Sequence, residues 1–217
     1  MKNYTIIQPH NTPVTSPKNN LISILFILDC SGSMQVLGLQ PIQSMKYFYN
    51  TQKETGKEFL STFITFNDRV NFVHKNIKGS EIDIRDNDYI PAGMTALLDA
   101  IGTGIEFQKN IKPKNVICVI LTDGHENSSK IYKSSEIKTL TKMMEVENNW
   151  KFIYLGANQD SFDVSDSLGI NPDNSATYDY TQKGFRDIIQ EVSSCISECI
   201  STNNVSIDNF VVKNNTN

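Results

Sequence analysis

Leu21-Ile-Ser-Ile-Leu-Phe-Ile-Leu-Asp-Cys-Ser-Gly-Ser-Met34 is the stretch from which the fold is read. Leu21 to Leu28 is almost unbroken apolar sequence, the pattern of a short strand buried on both faces of a parallel sheet. Asp29, Ser31 and Ser33 follow at alternate positions, just past the strand's C-terminal end, where open α/β sheets place their ligand sites. Gly32 permits a tight turn there, so one carboxylate and two hydroxyl oxygens can converge on a point. An oxygen-only set suits a hard cation, Mg²⁺ first, with Ca²⁺ or Mn²⁺ as alternatives. The same residues can equally cap a helix or form an Asx turn. The rest of the chain has to decide between these readings.

A second buried strand is expected at Val116 to Thr122 (Val-Ile-Cys-Val-Ile-Leu-Thr), and it too ends in an acid, Asp123-Gly124. Between the two strands, Pro41 can open a helix over Ile42 to Gln52, which Gly56 ends. Glu58 to Phe66 and Arg69 to Ile77 read as strands joined at Asn67-Asp68. So short a connection makes them antiparallel neighbours, and one antiparallel edge strand follows. Gly93-Met94-Thr95 leads into a helix that begins at Ala96, where a threonine is by default an N-cap hydroxyl. Further on, Ser134 or Ser135 is expected to cap a helix reaching about Glu147. A strand at Trp150 to Leu155, a helix at Gln159 to Leu168, a strand at Ala176 to Tyr180 and an amphipathic helix at Gln182 to Ile200 complete the pattern. Alternation of this kind is that of an open α/β sheet whose central strands bring Asp29 and Asp123 to one edge. Three parts are expected: an extended arm at 1–20 carrying Pro9, Pro13 and Pro17, with a possible edge strand at Tyr4 to Ile7; a domain at 21–200; and an Asn-rich mobile tail at 201–217, with some strand character at Val205 to Val212.

The composition narrows the function classes. The 217 residues are 39% hydrophobic with a net charge of -4, and the mean hydropathy is -0.32 at a pI of about 5.4. No basic run is present, which argues against a nucleic-acid partner. No apolar run approaches the roughly 20 residues of a membrane span, and residues 1–20 lack the pattern of a secretory signal, so a cytoplasmic, membrane-free protein is expected. Cys30, Cys118, Cys195 and Cys199 read as free thiols in a reducing compartment. Glu81, Asp83, Asp86 and Asp88 lack the spacing of a calcium-binding EF-hand and read as a solvated acidic loop. His125 and Glu126 stand on the rim beside Asp123, as ligand contacts or as a solvated loop.

Taken together, Asp29-x-Ser31-x-Ser33 after a buried strand, Gly-x-Thr95-Ala-Leu opening a helix, and Thr122-Asp123-Gly124 after another buried strand resemble the von Willebrand factor type A domain. The resemblance covers about residues 21 to 200. It implies a doubly wound, mostly parallel sheet with one antiparallel edge strand and helices on both faces. It also implies a metal-ion-dependent adhesion site in which Ser31, Ser33 and Thr95 supply hydroxyl oxygens, while Asp29 and Asp123 hold the ion directly or through water. Hydroxyls are neutral, so the ion keeps an open, electrophilic position that an Asp or Glu of a partner protein can fill.

The function this implies is a non-catalytic, metal-dependent protein-binding module. Intracellular members of such a family include tellurite-resistance-type stress proteins and partners of AAA ATPases. Two alternatives stay open. Asp29, Ser31 and His125 could serve metal-assisted hydrolysis, although no second carboxylate lies within two residues of Asp29 and no phosphate-binding glycine loop is present. The metal could also simply tie two loops together.

Overall fold

The computed structural model describes residues 21–157 and 160–207. Six strands form one sheet in the order β3-β2-β1-β4-β5-β6. They are β1 (Ile22–Asp29), β2 (Leu60–Phe66), β3 (Val70–Lys78), β4 (Asn115–Thr122), β5 (Trp150–Gly156) and β6 (Ser175–Thr177). All neighbours run parallel except β2 and β3, so the hairpin at Asn67-Asp68 supplies the antiparallel edge expected from its length. Among the described residues five α-helices cover the sheet: α1 (Gln40–Glu54), α2 (Leu97–Ile111), α3 (Ser134–Asn148), α4 (Ser161–Ser167) and α5 (Gln182–Thr202).

The period of two along each strand sorts side chains onto two cores. Ile24, Phe26 and Leu28 of β1, with Ile117, Val119 and Leu121 of β4, face α1 and α5. Leu25 and Ile27, with Val116, Cys118 and Ile120, face α2 and α3. Both strands are therefore buried along nearly their whole length, and apolar but for Ser23 and the residues at their ends, because both faces are covered. Gln52 of α1 fastens the first layer, donating from Nε2 to Ser193 Oγ of α5 at 2.9 Å.

Strand order positions the site. The chain leaves β1 toward β2 and β3 on one side, then returns to lay β4 on the other side of β1. That reversal opens a crevice outside the carboxyl ends of β1 and β4, where doubly wound sheets bind ligands. Leu28 pairs with Leu121, so Asp29 and Thr122 end their strands level with each other.

Some details differ from the sequence reading. Ser31 to Ser33 do not simply turn, because Gly32–Leu37 winds into a 3-10 helix before α1. Neither Ser134 nor Ser135 caps α3: the N-cap is Lys133, whose N–H is taken by Glu136 Oε2 at 2.7 Å. The last strand is the three residues of β6, and Tyr178 and Tyr180 lie beyond it. Packing continues past Ile200, since α5 runs to Thr202 and both Val205 and Ile207 are buried in the core. The expected strand at Tyr4 to Ile7 lies outside the described residues, as does Gln159. None of the four cysteines, all among the described residues, is in a disulfide. No helix among the described residues is long and apolar enough to cross a membrane.

Candidate metal centre

The crevice gathers the five residues singled out from the sequence. Asp29 is fully buried, Ser31, Thr95 and Asp123 nearly so, and Ser33 sits at the exposed rim. Ser31 Oγ and Ser33 Oγ are 3.1 Å apart, and Ser33 Oγ donates to Asp123 Oδ1 at 2.7 Å, across 90 residues of sequence. Asp29 Oδ1 accepts the Ser31 N–H at 2.7 Å, so the Asx-turn hydrogen bond does form. It occupies one oxygen only, and Oδ2 accepts from Thr122 Oγ1 at 2.5 Å.

Thr95 arrives from the start of α2. The N-cap of α2 is Ala96, so the Thr95 hydroxyl is not the helix cap. The free N–H groups of the first turn are taken instead by Glu126 Oε2, from Leu98 at 2.9 Å, and by Ser129 Oγ, from Asp99 at 3.0 Å. Thr95 is thereby left to face the crevice. A Cβ placed on Gly124 would lie 3.0 Å from Thr95 Oγ1 and 3.8 Å from Asp29 Oδ2, so the absent side chain leaves a cradle that both oxygens border. Gly93, at φ +77°, lets the loop before Thr95 close on the serine turn, where its carbonyl accepts the Gly32 N–H at 3.0 Å.

Two carboxylates confined in one crevice repel each other and lose hydration. Burial raises the Asp29 carboxyl to about 6; hydrogen bonds from Thr122 and Ser31 lower it, and the Asp123 charge raises it further. Asp123 Oδ2 is buried with no hydrogen-bond partner. An orphaned carboxylate oxygen is costly unless something cationic reaches it. The donor set is two carboxylates and three hydroxyls, all hard oxygens, which fits Mg²⁺, Mn²⁺ or Ca²⁺. Among the described residues no three His, Cys, Asp or Glu side chains cluster, so a zinc-type thiolate or imidazole set is not part of this centre.

Several neighbours at this edge had no assigned role in the sequence. Thr122 orients Asp29. Tyr180, just beyond β6, donates its phenol to the Ser33 carbonyl, and burial and the adjacent Asp123 raise its pKa. Asn127 Oδ1 accepts the Thr95 N–H at 2.8 Å. Glu126, readable as a solvated rim residue, is instead the loop's anchor: it accepts the N–H groups of Ser128 at 2.9 Å and Ser129 at 2.7 Å besides that of Leu98. Only the density of Asn and Ser after Asp123 hinted at such local bonding. His125 stands exposed. The acidic residues before Tyr89 are solvated as expected, with Asp86 paired to Lys46 at 2.7 Å and Asp83 to Arg85 at 3.1 Å.

The loops around the crevice also expose apolar side chains. Val36 and Ile90 are each 68% exposed and Ile131 69%, with Leu39, Met94 and Phe162 also exposed on the same edge. A cleft of about 240 Å³ opens beside Gly124, walled by Leu97, Leu98, Val164 and Leu168.

No protein-family model matches the chain, and no curated protein matches it in sequence. Solved structures do match in shape. A von Willebrand factor type A protein from Catenulispora acidiphila aligns at 14% identity and a TM-score of 0.56, over 80% of this chain and 42% of that one. The pilus adhesin SpaC from Lactobacillus rhamnosus GG aligns at 13% identity and a TM-score of 0.65, over 86% and 32%. Manganese-loaded TRAP protein from Plasmodium vivax aligns at 13% identity and a TM-score of 0.51, over 74% and 69%. This chain thus spans less than half the length of the first two. Identities this low speak for architecture alone, and the architecture is the von Willebrand factor type A fold.

Proposed function

We propose that this chain is a divalent-metal-dependent protein-binding module in which Asp29, Ser31, Ser33, Thr95 and Asp123 hold the ion. The observation that carries the reading is the pair of buried carboxylates at the β1/β4 crevice, one of whose oxygens, Asp123 Oδ2, has no partner. Mg²⁺, or Mn²⁺ or Ca²⁺ in its place, would supply an electrophilic coordination position for an Asp or Glu carboxylate of a partner protein. The chain's own residues prepare that position. Thr122 and the Ser31 N–H keep Asp29 oriented, Ser33 bridges to Asp123, and the bare Gly124 leaves the space open.

Exposed Val36, Leu39, Ile90, Met94, Ile131 and Phe162 on the surrounding loops support a protein ligand, because apolar side chains held in water around a polar centre mark interaction surfaces. Plasmodium vivax TRAP, of like fold, was solved manganese-loaded, which agrees with a metal, and SpaC is a pilus adhesin, which agrees with a binding role. Four cysteines with no disulfide among them fit an intracellular, reducing setting, where an AAA ATPase or a stress-response complex could present the acid.

Affinity capture from the native cell in Mg²⁺ or in EDTA tests this reading. The expected result is a partner retained in Mg²⁺ and lost both in EDTA and with Asp123→Ala, which stays folded. Capture that survives EDTA would refute the metal-dependent mechanism. Unfolding of Asp123→Ala would point to a metal that only ties loops together.

A further inference from the structure

Thr95 is the one proposed ligand that comes from neither of the strand-end turns after β1 and β4, so something other than strand pairing must place it. Asn127 makes a reciprocal clip on its backbone. Asn127 Oδ1 accepts the Thr95 N–H at 2.8 Å, and the Asn127 N–H donates to the Thr95 carbonyl at 3.0 Å. Burial does not explain this residue, because Asn127 is exposed. The loop carrying it is held independently on both sides. Glu126 binds the N–H groups of Leu98, Ser128 and Ser129, and Asp99 binds those of Lys130, Ile131 and Tyr132 at 2.8–3.0 Å. The loop therefore does not need the clip to stay in place, whereas Thr95 has it as a fixed reference.

Resting on the metal-centre reading above, we propose that Asn127 is a positioning residue that holds Thr95 so its hydroxyl stays on the Gly124 cradle, facing Asp29 Oδ2. An amide suits the role. It offers a neutral acceptor to the Thr95 N–H without setting a third negative charge beside Asp29 and Asp123. Without the amide the Thr95 N–H loses its acceptor, the segment is held only by the Asn127 N–H at the Thr95 carbonyl and the Ala96 N–H at the Asn67 carbonyl, and the hydroxyl is less firmly kept where the cation needs it. Residues that orient metal ligands in this way typically alter affinity by about 10- to 100-fold when removed.

The test is a Mn²⁺ titration of the full chain, read by the electron paramagnetic resonance signal of the free ion, alongside thermal unfolding without metal. Asn127→Ala is expected to bind Mn²⁺ about tenfold more weakly, with its metal-free unfolding midpoint within about 2 °C of wild type. Asn127→Asp, which retains an acceptor oxygen, should recover wild-type affinity or exceed it. Wild-type affinity in Asn127→Ala, with binding abolished in Asp123→Ala, overturns the positioning role and leaves the metal centre standing. A weakening matched by a large fall in the midpoint, without rescue by Asn127→Asp, makes the residue merely structural and overturns it too. Absence of saturable Mn²⁺ binding in wild type overturns both readings.

Discussion

Two pairs of acids lie at the same edge of the sheet, and they are treated in opposite ways. Asp99 and Glu126 are saturated: Asp99 accepts three backbone N–H groups from the loop at 130–132, and Glu126 accepts three more along with the Ser129 hydroxyl. Asp29 and Asp123 are starved. Asp29 receives one backbone N–H and one hydroxyl, and Asp123 receives one hydroxyl and keeps an oxygen with no partner. The contrast separates carboxylates that hold the loops from the carboxylates of the proposed metal site. Residue type and burial alone do not make this distinction, since Asp99 and Asp123 are both 7% exposed.

The sharpest way to break the comparison is to remove one acid from each pair in the metal-free protein. Asp99→Ala leaves three N–H groups without their acceptor and should cost about 3 kcal/mol. Asp123→Asn keeps the shape, removes a like charge from the crevice, and should stay within about 1 kcal/mol of wild type. Urea unfolding in EDTA checks both. Equal losses would erase the distinction.

A smaller effect is expected from pH. The folded-state Asp29 carboxyl, near 6, lies above its ordinary 3.8. Its contribution to metal-free stability is therefore full below about 3.8 and lost as the pH rises through 6. Between pH 4 and pH 7 wild type should lose about 2 kcal/mol relative to Asp29→Asn. The buried His74, lowered to about 3 by desolvation, acts the other way, its contribution fading as the pH falls below 6.5. It is common to both proteins and cancels in the difference. Mn²⁺ affinity should fall as the pH drops from 7 to 4, because a proton on Asp29 competes with the ion. A flat difference between the two proteins across this range would show that Asp29 carries no such burden.

Gly124→Ala probes the smallest margin. Its new Cβ, 3.0 Å from Thr95 Oγ1, intrudes on the cradle without touching the loop bonds of Asp99 or Glu126. Mn²⁺ affinity should drop about tenfold in the titration while urea stability holds. An unchanged affinity would mean that the cradle is not where the ion sits.

Much of this architecture was legible in the chain. The almost unbroken apolar runs of β1 and β4 required cover on both faces, and the short Asn67-Asp68 link required antiparallel pairing. The site was legible in part, because acids and hydroxyls just past buried strands stand out against the apolar runs. Local rules failed where several local partners were possible. Thr95 and Ser134 look like helix caps, yet the Leu98 N–H goes to Glu126 from another loop. The cap of α3 falls one residue earlier, at Lys133, whose carbonyl takes the Glu136 and Ile137 N–H groups while Glu136 reaches back to the Lys133 N–H. Glu126 reads only as a ligand contact or a solvated rim residue, and Asn127 has no role at all in the sequence reading, for the same reason: their partners, Leu98 and Thr95, are about thirty residues away.

By itself, then, the sequence determined that Asp29 and Asp123 each end a buried strand and that hydroxyls stand beside them, because strand burial and turn chemistry are local in the chain. Only the tertiary structure decided that the strands adjoin, that Ser33 reaches Asp123 across 90 residues, and which acids find backbone donors. The physical reason is direction. A hydrogen bond depends on where an N–H points, and in a loop that is set by everything the loop packs against.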